Sequence, residues 1–297
     1  HIPAHASAAP AGPAPARTAV RTAPAGSASH PAGPHIQGRQ TLLRSVRAEW
    51  IKLWSLRSTW ITSFIAIALT VLFGAGLTAA LGQSEHYQDT AKNMITSGLT
   101  FGQVVVAVLG ALIITGEYSS GQIRSSLAAV PRRGQLLVSK AVVLAIVSFL
   151  LGSLSVFLSW AISKPFIGEH AGSLTDSHYA GHIWGSGLVF AVIALMALGL
   201  GFLLRSTAGT VTVIVSLLFI ITAPLQLAAS KWDWVFKIIG CLPSTVAQAV
   251  SDPFQRTTEW GGQGAQFLTH GQAIAVFAAW ALVPLIAAWF VFSRRDA

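Results

Sequence analysis

The sequence predicts an all-α membrane protein with six transmembrane helices, on three observations. Six long apolar stretches follow residue 40. Only 10% of the residues are charged, against roughly 25% in soluble domains, and the mean hydropathy is +0.62. The loops between the stretches alternate in charge. About 20 apolar residues at 1.5 Å rise cross the roughly 30 Å hydrocarbon core, where every backbone polar group must pair within the chain, so these stretches are helices. A soluble bundle is excluded because its helices carry a polar stripe, which these lack.

The predicted spans lie near 59–81, 98–116, 136–162, 183–204, 208–229 and 269–293. With the N-terminus placed inside, the inner segments carry 14 Lys and Arg against three acids, and the outer ones 5 against 7. By the positive-inside rule both termini are therefore predicted to be cytoplasmic. The net charge of +9 follows this topology. Its basic residues flank spans and form no reading helix or stacking platform, so nucleic acid is excluded as a partner. The single cysteine, Cys241, allows no intramolecular disulfide and no thiolate metal framework.

Residues 1–40 are rich in Ala, Pro, Gly, Ser and His, without apolar periodicity, and are predicted to be a disordered tail. They lack the continuous apolar core of a secretory signal and begin without Met, which points to an incomplete or reinterpreted start. A polybasic lipid tether has little support, since only Arg17 and Arg21 lie mid-tail.

Residues 41–297 form the predicted membrane domain, which opens with an amphipathic helix over 41–57. At 100° per residue, Leu42, Leu43, Val46, Trp50, Leu53, Trp54 and Leu56 share one arc, with Arg44, Arg47, Lys52 and Ser55 across from it. Glu49 falls at the edge of that arc and Arg57 within it at the helix end. Such a helix lies in the cytoplasmic headgroup layer and leads into the first span.

Between the second and third spans, over 117–134, Ile123, Leu127 and Val130 repeat at helical spacing, and Pro131 with Gly134 stops the helix. This predicts a short surface helix with Glu117 at its N-terminal end, favoured there by the dipole. Lys140 and Arg205 sit at span ends, where long side chains snorkel. Small residues at close-packing spacing, Ser148 with Gly152 and Ala197 with Gly201, predict helix contacts. Intramembrane serines and threonines are expected to bond their own helix backbone. Pro224 and Pro284 are expected to kink the fifth and sixth spans. The outer segment 231–268 is too apolar for a plain loop; residues on either side of Pro243 predict two short helices in a re-entrant or interfacial hairpin.

Gly116 and Gly121 have P-loop spacing, but Gln122 and Ile123 stand where the phosphate-binding Lys and magnesium-binding Ser or Thr belong, and a membrane helix precedes them instead of a strand. ATP hydrolysis by this chain is excluded on that ground. His178 and His182, with Glu169, His170 and Asp176 nearby, have only a weak metal-like spacing and read as a solvated loop. No serine, cysteine or carboxylate dyad suits an intramembrane hydrolase.

The order of residues is nevertheless distinctive: Arg47-Ala48-Glu49-Trp50-Ile51-Lys52-Leu53, then Arg57-Ser58-Thr59-Trp60, Gly116-Glu117-Tyr118-Ser119-Ser120-Gly121, Ile123-Arg124, and Ala128-Ala129-Val130-Pro131-Arg132-Arg133, with Leu242-Pro243-Ser244 farther on. Residues 41–297 resemble the ABC-2 type permease subunits of bacterial ABC transporters. The resemblance implies a plasma-membrane half-transporter that pairs with a second permease, a homodimer being favoured, and with two cytoplasmic ATPase subunits. ATP and magnesium would be held by those subunits; this chain binds no cofactor and no metal. Glu117, Tyr118, Gly121, Ile123, Arg124, Leu127, Arg132 and Arg133 would form the coupling segment that meets the ATPase. Arg44, Arg47, Trp50, Lys52, Trp54 and Arg57 would mark the interfacial helix beside it. Spans without buried charge suggest export of a hydrophobic or amphipathic cargo, such as a drug, peptide or lipid-like molecule. A secondary transporter or channel independent of ATP is the alternative; it calls for broken helices at midplane or intramembrane charge, and only Pro224 and Pro284 favour it. A non-transport scaffold on the same permease fold is a further reading.

Overall fold

The computed structural model describes residues 41–84, 92–130, 132–168, 173–175, 177–252 and 268–294. The predicted tail over 1–40, Pro131, the acidic and histidine loop residues Glu169, His170 and Asp176, and residues 253–267 of the outer segment lie outside them.

Among the described residues all regular elements are helical. Helix α1 (Leu42–Ser55) is followed after one extended residue, Leu56, by α2 (Arg57–Gly82). A 3-10 turn (Lys92–Thr96) leads into α3 (Leu99–Ser119), and then come α4 (Gln122–Ala129), α5 (Arg133–Ile167) and α6 (Ser177–Leu204). The fifth span is built from α7 (Thr207–Val215), a π turn (Ser216–Ile220) and α8 (Thr222–Ala229). Helices α9 (Trp234–Cys241) and α10 (Pro243–Ser251) precede α11 (His270–Arg294).

Among the described residues six spans are long and apolar enough to cross a membrane: Arg57–Gly82, Met94–Ser119, Arg133–Ile167, Tyr179–Leu204, Thr207–Ala229 and His270–Arg294. They contain all six predicted stretches except one residue, Thr269. A π turn stands ahead of Pro224, where a kink was expected. Ile221 N donates to Ser216 O at 2.9 Å, so the helix widens one turn ahead of the proline, which then sits in the first turn of α8, where an N–H is dispensable.

Helix α6 is the hub. Its apolar window is 67% buried and that of α3 is 61%, whereas the fifth span is only 11% buried. α6 packs on α3, α5 and α11. The approaches are close because glycine leaves room: a Cβ on Gly110 of α3 would stand 2.4 Å from Ala194 O, and one on Gly152 of α5 would stand 2.5 Å from Ser186 O. Ala197 and Gly201 of α6 face Gly110 and Ile114, so both small-residue pairs singled out above lie at helix contacts. Ser139, Ser155, Ser159 and Thr210 donate to carbonyls of their own helix or its cap, which removes the cost of burying their hydroxyls, whereas the equally buried Ser148 Oγ departs from this expectation and makes no hydrogen bond among the described residues.

Helices α9 and α10 bend 62° at Leu242. Pro243 occupies the first position of α10, where its fixed φ suits the helix and no N–H is needed. Three ring nitrogens from other helices approach the carbonyls of this hairpin: Trp280 Nε1 donates to Cys241 O at 2.8 Å, His270 Nδ1 lies 3.2 Å from Ala249 O, and His182 Nδ1 lies 2.8 Å from Ser251 O. A carbonyl only accepts, so both histidines carry hydrogen on Nδ1. His182 is thus buried within α6 and turned to the hairpin, not part of a solvated loop.

Candidate functional site

At the end of the bundle where α2 begins and α3 ends, four charged side chains meet. Glu117 lies in the last turn of α3, not at the start of the short helix as its position in the sequence suggested. A helix C-terminus disfavours a carboxylate. Two ammonium groups offset this: Lys52 Nζ of α1 and Lys140 Nζ of α5 both donate to Glu117 Oε1. Glu117 Oε2 accepts from Ser126 Oγ of α4 at 3.2 Å, and Lys140 Nζ donates also to Glu49 Oε2 of α1 at 2.8 Å.

The side chains of Lys140 and Glu117 are 0% and 4% exposed, those of Glu49 and Lys52 13% and 24%. Two cations and two anions make a neutral set, the condition under which charge is tolerated in a low-dielectric setting. Leu53, Ile113 and Val143 line the narrow cleft over it.

Lys140 stands about two turns inside α5, too deep for the snorkelling expected of it. It turns inward because two carboxylates are there to receive it. Lys52 is displaced from expectation in the same way. The wheel placed it across from the apolar arc, yet Lys52, Glu49 and Ser45 form the side of α1 that meets the bundle. Gln135 Nε2 donates to Ser45 Oγ at 2.8 Å, and Leu53 packs on Val143 and Val147 with Val46 and Trp50 beside it. Leu43, Ile51 and Trp54, with Arg44 and Arg47, face away. The corner between α1 and α2 is held by Trp60 Nε1, which donates to Trp54 O at 3.0 Å, with the two indoles edge to face at 4.6 Å.

Gly121 turns α3 into α4 at φ +71°, a left-handed backbone open to glycine at no steric cost. The turn seats Ile123 and Val130 in the core and Leu127 against it, while Arg124 stays exposed. Arg133 Nη1 donates to Phe292 O at 3.0 Å near the C-terminus of α11, where the dipole favours a cation. Arg205 caps α6 at φ +52° and places its guanidinium 4.9 Å from the Tyr118 ring centre. Thr115 and Thr207 exchange a hydrogen bond that ties α3 to α7.

The sequence-selected residues therefore divide into two sets. Glu117, Tyr118, Ile123, Leu127, Arg133, Trp50 and Lys52 turn wholly or partly inward; Gly121, Arg124, Arg132, Arg44, Arg47, Trp54 and Arg57 are exposed. Lys140 and Glu49 were missed as members of the cluster. The available signal was the i, i+3 spacing of Glu49 and Lys52, which puts opposite charges on one helix face.

The family model described as ABC-2 family transporter protein matches residues 45–223, from α1 through the fifth span as far as the start of α8. The chain belongs to the ABC-2 transporter family. The charge cluster lies wholly within the matched residues, and the α9–α10 hairpin and α11 lie beyond them. No curated protein matches the chain. An ABC-2 permease is a membrane transport component, and permeases of this family partner with ABC ATPase subunits.

Proposed function

We propose that this ABC-2 permease is energised by separate cytoplasmic ATPase subunits and exports a hydrophobic or amphipathic cargo. One observation carries this reading. Helices α1 and α4, which cross no membrane, are both bonded to Glu117 at the end of a span, and Arg44, Arg47, Arg57, Arg124 and Arg132 of these and the adjoining segments are exposed. The arrangement suits a docking surface whose displacement is felt inside the membrane domain. With the positive-inside rule applied to the Lys and Arg of the loops, this end and both termini are read as cytoplasmic, in a plasma-membrane protein.

The cargo assignment rests on charge. Apart from Lys140, which lies about two turns inside α5 and is paired with Glu49 and Glu117, Asp, Glu, Lys and Arg of the six spans stand at their ends, so an ionic solute finds no free partner at mid-depth. A second permease copy completes the transporter, and ATP and magnesium bind on the ATPase.

Gentle solubilisation from the native membrane, followed by affinity capture, tests the reading. The expected result is a stoichiometric soluble partner bearing G-x-x-x-x-G-K-[ST]. Repeated recovery of the chain alone, with transport indifferent to ATP, would favour a secondary transporter or channel instead.

A further inference from the structure

We infer that Lys140 is the positioning residue that joins α1, the α3–α4 elbow and α5 into one mechanical unit, so that force applied to α1 or α4 is delivered to the third span. This rests on the ATP-driven reading above and adds to it the route by which the stroke travels.

The geometry singles out Lys140 among the four charges. Its ammonium bridges Glu49 on α1 and Glu117 on α3, and Glu117 in turn accepts from Ser126 on α4. Lys52 contacts one carboxylate and keeps part of its side chain in reach of water, whereas the Lys140 side chain is wholly enclosed. A helix that leaves the cluster strands a charge in an apolar cleft lined by Leu53, Ile113 and Val143, a state far less favourable than the intact set. The three parts therefore move together. Helix α5 is the element able to carry the movement onward: it runs 35 residues from Arg133 to Ile167 and meets the central α6 where Gly152 abuts Ser186 O. Displacement of α1 or α4 thus reaches the core of the bundle through α5.

The test uses the complex purified with its ATPase, in a Cys241→Ser background. Spin labels at Ala48→Cys on α1 and Leu154→Cys on α5, both exposed, report the separation of the two helices without nucleotide and with ADP and vanadate trapped. With the cluster intact, the separation is expected to be the same in both states. In Glu49→Gln/Lys140→Met, which removes one charge of each sign and leaves the Lys52–Glu117 pair, the separation is expected to change with nucleotide by about 2 Å or more. Lys140→Arg is expected to keep it fixed. Lowered stability alone does not produce a separation that depends on nucleotide. A nucleotide-dependent separation in the intact protein, or a fixed one in the double variant, overturns the proposal while ATP turnover by the complex leaves the ABC reading standing. A preparation without an ATPase, or without ATP turnover, overturns that reading and this inference with it.

Discussion

Lys140 Nζ donates to Glu49 Oε2 at 2.8 Å, joining the third span to the N-terminal helix across 91 residues of sequence. The bond is one link of a neutral chain, Glu49–Lys140–Glu117–Lys52, and that chain sets the sign of each substitution in it. Lys140→Met leaves two carboxylates facing a single lysine. Loss of about 3–5 kcal/mol is expected, because one partner of a buried set has gone. Glu49→Gln/Lys140→Met restores neutrality and is expected to recover most of that loss. Thermal unfolding of the two detergent-solubilised variants, side by side with the parent, checks the order.

Two glycine-to-alanine changes are expected to act in opposite directions. On Gly110 the new methyl meets Ala194 O at 2.4 Å, so α3 must retreat from α6 at a cost of about 1–3 kcal/mol. On Gly76 of α2 nothing lies within 4 Å, and the better helix former is expected to add up to about 1 kcal/mol. Melting temperatures of the pair separate packing from propensity.

The two left-handed residues at this end of the bundle differ in the same way. Gly121→Ala forces a Cβ into φ +71° and is expected to cost about 1–2 kcal/mol, loosening α4. Arg205→Gly relieves a comparable strain at φ +52° but forfeits the contact with Tyr118 and adds chain entropy, so the net change is expected to stay within about 1 kcal/mol. Hydrogen exchange across 117–130 is expected to rise in the first variant and to remain near the parent in the second.

Trp280→Phe keeps most of the ring volume and removes the N–H that reaches Cys241 O. An acceptor left unpaired at the hairpin bend is expected to cost about 1–3 kcal/mol. Cys241, the sole cysteine, is half-buried at that bend. Its rate of maleimide labelling is expected to increase in Trp280→Phe; an unchanged rate would mean that the bond does not hold the bend.

The spans were legible in the sequence because helices surrounded by lipid and by protein are apolar all round, but that same property hid their arrangement. Nothing in the hydropathy of α6 marks it as central and nothing in the fifth span marks it as peripheral, since lipid and neighbouring helix ask for the same side chains. Small residues carried the missing information: Gly152 and Ala197 lie where helices touch. In the site, Glu117 stood out as a carboxylate beside a span. Lys140 did not, because a lysine near a span end ordinarily reaches outward for water, and its carboxylates lie 23 and 91 residues away in sequence. On α1 the apolar arc was assigned one environment, whereas Val46, Trp50 and Leu53 pack on the bundle and Leu43 and Trp54 do not.

The hairpin α9–α10 has a consequence for biosynthesis. The carbonyls of Cys241 and Ala249 find ring nitrogens only on α11, the last helix described, while Ser251 O meets His182 on a helix already made. A nascent chain ending before residue 270 can therefore make one of these three hydrogen bonds, beside the packing of α10 on α6 and of α9 on α8. Full seating of the pair must wait until α11 has left the ribosome and inserted, so truncation ahead of α11 is expected to leave five inserted spans with the α9–α10 bend held by packing and a single ring nitrogen.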